Sequence, residues 1–190
     1  MFTPAVQFLI LCNVAVYLAE NLLGIRWVGM LALWPLGPQF HPWQMVTYAF
    51  IHGGLAHIAF NMLGLAVFGT DLERVWGSAR LINCYLFSVL AAAATQLLFA
   101  AVTGSAAPSI GASGGVFGLL LAFAMLFPQR QIVLLFPPIP MPAWVFALGY
   151  AVLELALGVT GTEAGVAHFA HLGGMLGAYL YIMVSRLRWF

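Results

Sequence analysis

Gly111-Ala112-Ser113-Gly114-Gly115 stands where a polar loop, Thr103 to Ile110, gives way to an apolar run that Pro128 stops. Small residues flank one serine on both sides. Ser113 to Phe127 is 15 residues, roughly 22 Å of helix at 1.5 Å per residue. A hydrocarbon core is about 30 Å thick. Such a helix is too short to span alone and long enough to be held inside a bundle of longer ones.

The rest of the chain supplies longer ones. Of 190 residues, 64% are hydrophobic and 6% charged, and the mean hydropathy is +1.03. A soluble domain carries about 25% charged residues, so the composition excludes one. Net charge is +1 and no basic patch occurs, which argues against nucleic acid as a partner. Cys12 and Cys84 both lie in apolar runs and read as core residues rather than a disulfide. Met1-Phe2-Thr3-Pro4 has neither the basic start nor the cleavage site of a signal peptide, so the first apolar run reads as a retained helix.

Apolar runs and their breakers predict an all-α polytopic membrane protein. Six helices are expected at about 4–23, 55–69 (or on to Trp76), 81–102, 113–127, 143–158 and 166–187, forming a single domain over 1–190. The fourth is short and buried. Gly24 to Gly54, with Pro35, Pro38 and Pro42 and with Trp27, Trp34 and Trp43, reads as a loop at the membrane interface. Pro137, Pro138, Pro140 and Pro142 keep the connection before the fifth helix non-helical. Trp43, Trp76 and Trp144 read as interface anchors. With both termini cytoplasmic, Arg74, Arg80, Arg130, Arg186 and Arg188 fall inside and Arg26 outside, as positive residues prefer.

Depth can be compared from these arginines. His171 precedes Arg186 by 15 residues, His57 precedes Arg74 by 17, and Ser113 precedes Arg130 by 17. The three polar side chains thus reach about one level, and Asn61 lies one turn from His57 on the same helix face. A serine hydroxyl needs a base to become a nucleophile, and histidine is the usual base near neutral pH. Gly111, Ala112, Gly114 and Gly115 around Ser113, and Gly173, Gly174, Gly177 and Ala178 after His171, would let two membrane helices approach closely.

Other readings of the same residues stay open here. The glycines can serve packing alone, with Ser113 bonded to a backbone carbonyl. His57 and Asn61 can be structural, or can donate hydrogen bonds to a developing oxyanion. The match of 111–115 to G-x-S-x-G lacks the strand that a nucleophile elbow needs. His52, His57, His168 and His171 could be ligands, and His168 and His171 share a face. No acid or cysteine stands beside them in sequence, so no metal and no cofactor is expected. Glu154 could orient His171 as a third catalytic member, or be protonated, paired or facing water.

With these residues in hand, the chain resembles the rhomboid family of intramembrane serine proteases. His52-Gly53-Gly54-Leu55-Ala56-His57-Ile58-Ala59-Phe60-Asn61 resembles its second-helix motif. Gly111-Ala112-Ser113-Gly114 resembles its nucleophile motif, and Ala170-His171-Leu172-Gly173-Gly174 its catalytic-histidine motif. The resemblance implies a six-helix rhomboid bundle of minimal, bacterial type in an inner (plasma) membrane. It implies a Ser113–His171 dyad acting through an acyl-enzyme, with no essential acidic member, which argues against Glu154. His57, Asn61 and the Ser113 backbone N–H would hold the oxyanion, with Gly111, Phe117 and Gly174 in support. It implies single-span membrane proteins as substrates, cut near the extracytoplasmic surface, with the fifth helix and the loop Val159–Gly165 gating access.

Two residues depart from the family pattern. Trp43-Gln44 replaces a frequent Trp-Arg, which bears on the anchoring of the first loop. Phe117 replaces a frequent Tyr under the catalytic histidine. The alternatives to a protease are a non-catalytic rhomboid-like protein that binds membrane clients, and a small transporter. The latter would show a repeat, and none is visible. Nothing in the sequence bears on oligomeric state.

Overall fold

The structure is a computed structural model that describes residues 2–23, 28–133, 138–161 and 167–186. Helix α1 spans Pro4–Leu23, with Pro4 at the first position, where its missing N–H costs nothing. A turn α2, Val28–Leu31, and a turn α3, Gln44–Thr47, continued by the 3₁₀ turn Tyr48–Phe50, interrupt the first loop. Helix α4, Leu55–Gly64, runs through a π-turn at Leu65–Gly69 into α5, Thr70–Trp76. Helix α6 is Ser78–Thr103, α7 is Ser113–Leu126, α8 is Ala143–Thr160 and α9 is His168–Arg186. Gly77 and Gly104, both at positive φ, close α5 and α6.

The second expected helix reaches Trp76, the longer of its two bounds, because the chain absorbs an extra residue at the π-turn instead of breaking. Two details depart from the sequence reading. The first loop holds three short helical turns, the one at Gln44 set up by Pro42 just before it. The connection after α7 is non-helical as expected, but it forms a two-stranded antiparallel ribbon of β1, Gln131–Val133, and β2, Pro140–Pro142. Pro140 and Pro142 have no N–H to give a neighbour, so the ribbon ends at an edge. Arg26, Trp27, Pro137, Val166, Leu187, Arg188 and positions 162–165 of the expected gate lie outside the described residues.

Four described helices are long and apolar enough to cross a membrane: Pro4–Leu22, Leu55–Trp76, Ser78–Thr103 and Ala143–Thr160. Ser113–Leu126 is shorter, 14 residues and about 21 Å. It is enclosed by α6, α9, α8 and the π-turn, while α9 packs on α6, α7 and α8. The all-α membrane bundle with a short buried helix is therefore the observed architecture. Leu119, Leu120, Phe123, Tyr85, Val89 and Ile182 are buried between the helices, whereas Phe8, Leu11, Leu98, Val152 and Leu155 point outward and are exposed. Outward apolar side chains suit a protein whose solvent is lipid. Cys84 is buried and Cys12 half-buried, and both are free thiols.

One end of the bundle gathers Asp71, Glu73, Arg74, Arg80 and Arg130. Asp71 meets both Arg74 and Arg130 at 2.9 Å. Arg80 stacks over Trp76 at 5.0 Å and donates to Ser185 at 3.1 Å. Glu73 is buried and accepts from the Thr3 hydroxyl, from Ala5 N at 2.8 Å, from Val6 N at 3.0 Å and from the Ser78 hydroxyl at 2.6 Å. It caps the first turn of α1 from a different helix, where orphan N–H groups and the helix dipole favour a negative charge.

Glu73→Ala leaves these donors without a partner and should lower stability by about 2–3 kcal/mol. Asp71→Asn, which breaks only half-exposed ion pairs, should cost less than about 1 kcal/mol. Thermal melts of both variants in detergent check the order; equal effects would refute the cap.

Candidate functional site

Ser113 is the first residue of α7, at the inner end of the loop Thr103 to Ile110. That loop is tied to the first loop by paired Leu33 and Ser109 backbone bonds, both 2.9 Å. Gly111 N donates to Tyr48 O at 2.9 Å, and the Tyr48 hydroxyl donates to Val89 O at 2.9 Å. The serine therefore sits on a turn fixed from two sides. Tyr48 was not singled out by sequence; an aromatic in a proline-rich loop carries no mark of this role.

His171 Nε2 lies 2.8 Å from Ser113 Oγ. Ser113 thus pairs with a histidine, not with a carbonyl of its own helix. Small residues make this possible. A Cβ on Gly174 would overlap the Gly114 carbonyl, and one on Gly114 would lie 2.5 Å from Ala92 Cβ. Gly173 and Gly177 face Thr95 and Ala91 on α6, so only part of the glycine stretch serves the α7 contact. Phe117, one turn after Ser113, stacks on the His171 ring at 4.3 Å and 4°. The stacking expected of this position holds without the hydroxyl of a tyrosine.

His57 comes from α4. Its ring borders Gly111: a Cβ there would be 2.6 Å from His57 Nε2, and Gly111 has φ +116°. Gly53 N donates to His57 Nδ1 at 3.3 Å, which makes Nδ1 the acceptor and puts the ring proton on Nε2. Asn61, buried, donates one N–H to His57 O at 2.9 Å and keeps a second. These residues lie at the serine's end of the bundle, as the depth comparison implied.

His52 is buried beside His57, edge to face at 5.0 Å. Its Nδ1–H donates to Phe50 O at 3.3 Å. Burial, and then the neighbouring His57, push its pKa down to about 4, against the opposing pull of the Phe50 carbonyl. The ring is neutral at physiological pH.

Glu154 reaches from α8 to both histidines of α9. Its Oε2 is 2.6 Å from His168 Nδ1 and 2.9 Å from His171 Nδ1. The His168 contact is a hydrogen bond. The His171 Nδ1–H is off the line and makes no regular bond. The premise that no acid stands near these histidines is thus corrected: the fold supplies one from 14 residues upstream of His168. The three donor atoms lie within 4.8 Å of one another. Two ligands on a tetrahedral zinc with bonds of about 2.0–2.1 Å would be roughly 3.3 Å apart. At 2.6 Å the carboxylate and His168 have hydrogen-bond spacing instead.

Gln44, the residue departing from the family pattern, is fully buried. Its Oε1 accepts from Trp34 N at 3.3 Å and His41 N at 3.1 Å, and its Nε2 donates to Met30 O at 3.3 Å and Gln39 O at 3.0 Å. An amide, with both donor and acceptor, ties together four backbone groups of the first loop.

Gly111→Ala forces a side chain to φ +116° and against His57, and should cost about 1–3 kcal/mol. Gly53→Ala, whose Cβ would meet Ile110 at an ordinary 3.5 Å, should be nearly neutral; melting temperatures separate the two. For His52 the folded pKa is below the ordinary 6.5, so its contribution is full above that value and fades as pH falls toward 4. Thermal melts from pH 7 to 4 should show a smaller acid-side loss for His52→Asn than for wild type.

Residues 39–188 match the family model described as the Rhomboid domain. The chain is 36% identical over 140 residues to mitochondrial Rhomboid protein 1 of Saccharomyces cerevisiae, covering 73% of this chain and 40% of the relative. It is 28% identical over 137 residues to Rhomboid protease GluP of Bacillus subtilis, covering 72% and 25%. It is 31% identical over 130 residues to Rhomboid protease GlpG of Klebsiella pneumoniae, covering 67% and 45%. The chain thus spans less than half the length of each of these relatives. With the family model matched over most of its length and the helical membrane bundle in place, this chain belongs to the rhomboid family.

Proposed function

We propose that the chain is an intramembrane serine endopeptidase that cleaves single-span membrane proteins. The observation that carries this is the 2.8 Å contact between Ser113 Oγ and His171 Nε2 inside an apolar helical bundle. Two relatives are named rhomboid proteases, which supports the same activity here.

In this reading the Ser113 hydroxyl gives its proton to His171 Nε2 as Oγ attacks the peptide carbonyl carbon of an unwound substrate segment. The carbonyl oxygen becomes an oxyanion. Donors for it are the His57 Nε2–H, the free Asn61 N–H and the Ser113 backbone N–H, which points from the start of α7. Collapse breaks the C–N bond, and His171 returns its proton to the leaving amine. An ester on Ser113 remains. His171 then takes a proton from water as the water oxygen attacks the ester carbon, and on collapse it returns that proton to Ser113 Oγ, which leaves as the free hydroxyl.

We place the arginine-bearing end at the inner face of the membrane and Ser113 toward the outer one. Asp71, Arg74, Arg80 and Arg130 gather at the end of the bundle opposite Ser113, which supports this orientation. The relatives include mitochondrial and chloroplast proteins as well as bacterial ones.

Purified protein in detergent with a model single-span substrate tests the reading. Ser113→Ala and His171→Ala should each lower cleavage by about 10³-fold or more, and a fluorophosphonate should label wild type at Ser113. Cleavage that survives in Ser113→Ala would refute the assignment. Absence of both cleavage and labelling in wild type would favour a client-binding protein.

A further inference from the structure

We propose that Glu154 is a positioning residue for His171, taking its Nδ1–H and so holding the tautomer in which Nε2 is free to accept the Ser113 proton. The proposal rests on the Ser113–His171 reading above and concerns what makes that histidine a competent base.

Glu154 sits in a membrane-spanning helix with its side chain 8% exposed, and its ion-pair contacts among the described residues are His168 and His171. A carboxylate buried in apolar surroundings is costly unless donors meet it. The His168 imidazole donates to it and the His171 Nδ1 lies in close contact, both at one oxygen. Were Nδ1 of His171 unprotonated, its electron-rich nitrogen would lie 2.9 Å from a carboxylate oxygen, a repulsion. A proton on Nδ1 turns that repulsion into attraction, and in a neutral ring it leaves Nε2 with its lone pair. Nε2 is the atom 2.8 Å from Ser113 Oγ. Each contact therefore has one direction: Oγ–H to Nε2, and Nδ1–H to carboxylate.

The neighbours divide the work of holding the ring. Phe117, parallel at 4.3 Å, sets the plane of the imidazole. Stacking leaves the ring free to turn within that plane, and the edge contact with Glu154 removes this freedom. His168, one turn before His171, makes the shorter contact, a hydrogen bond at 2.6 Å, and pins the carboxylate. The His171 contact at 2.9 Å, off the line of a hydrogen bond, is the looser of the two, as resting catalytic sites often show. During proton transfer the carboxylate also places negative charge beside the imidazolium that forms.

The experiment reads the tautomer directly. The full chain, labelled with ¹⁵N-histidine and purified in detergent at pH 8, is examined by NMR, with His171 signals assigned by their loss in His171→Ala. The expected result is a protonated Nδ1 and a bare Nε2 in wild type. In Glu154→Met, which keeps bulk and removes the acceptor, the proton should move toward Nε2. Its kcat should fall at least about tenfold, short of the roughly 10⁴-fold that a lost tautomer costs in a soluble triad, with KM within about twofold. Glu154→Asp should restore part of the rate. A wild-type His171 protonated at Nε2 overturns the proposal, as does a Glu154→Met variant with unchanged tautomer and kcat. The wild-type spectrum decides even if the variant does not fold. It also decides if the chain proves to have no peptidase activity, a failure that would be seen separately as absent fluorophosphonate labelling.

Discussion

The Gly114 carbonyl occupies the space that any side chain at position 174 would need. The rest of the site depends on this backbone-to-backbone contact between α7 and α9. A serine side chain is short, so its hydroxyl can reach a histidine on another helix only if the two axes nearly touch. The same demand extends outward. Gly115 lies against Tyr85, Gly118 against Ser88, and Gly173 and Gly177 against α6. In lipid no water-driven force pulls helices together, so such close packing is a principal source of association. An added methyl in this region forces backbones apart, which costs about 1–3 kcal/mol in packed cores, and it separates Ser113 from His171 at the same time.

Three buried side chains, Glu73, Gln44 and Glu154, share one pattern: each is met by several partners beyond its own helical turn. Glu73 ties the start of α1 to α5 and α6. Gln44 gathers four backbone groups of the first loop. Glu154 bridges α8 and α9 through two histidines. Each is expensive to bury alone and stabilising once satisfied. These three residues therefore hold the elements around the serine in register, at the two ends of the bundle and beside the site.

Much of the architecture was legible because lipid imposes simple periodicity. Among the described residues, apolar runs interrupted by Pro and Gly foreshadowed the long helices and the short α7, with the second helix reaching the longer of its two bounds. Depth counted from the arginines brought Ser113, His57 and His171 to one end of the bundle. The π-turn at Leu65–Gly69, the ribbon at Gln131–Val133 and the short turns at Val28 and Gln44 were not legible. Their hydrogen bonds close between residues whose composition does not separate one turn geometry from another. Tyr48 left no signal because its role, bonding Gly111 N and Val89 O, exists only once three segments meet.

By itself the sequence determined the membrane class and the all-α bundle, and it named Ser113, His171, His57 and Asn61 as candidates for acyl-transfer chemistry, since hydropathy and residue chemistry are local properties. Tertiary structure alone decided which groups touch. It set His57 rather than a side chain against Gly111, turned Gly173 and Gly177 toward α6, and let Gln44 stand in for a frequent arginine. It also brought Glu154 from another helix onto His168 and His171, a carboxylate that neighbouring sequence had seemed to lack. Contacts of about 3 Å between helices depend on axial rotation and crossing geometry, which the packing of the whole bundle settles and no single segment encodes.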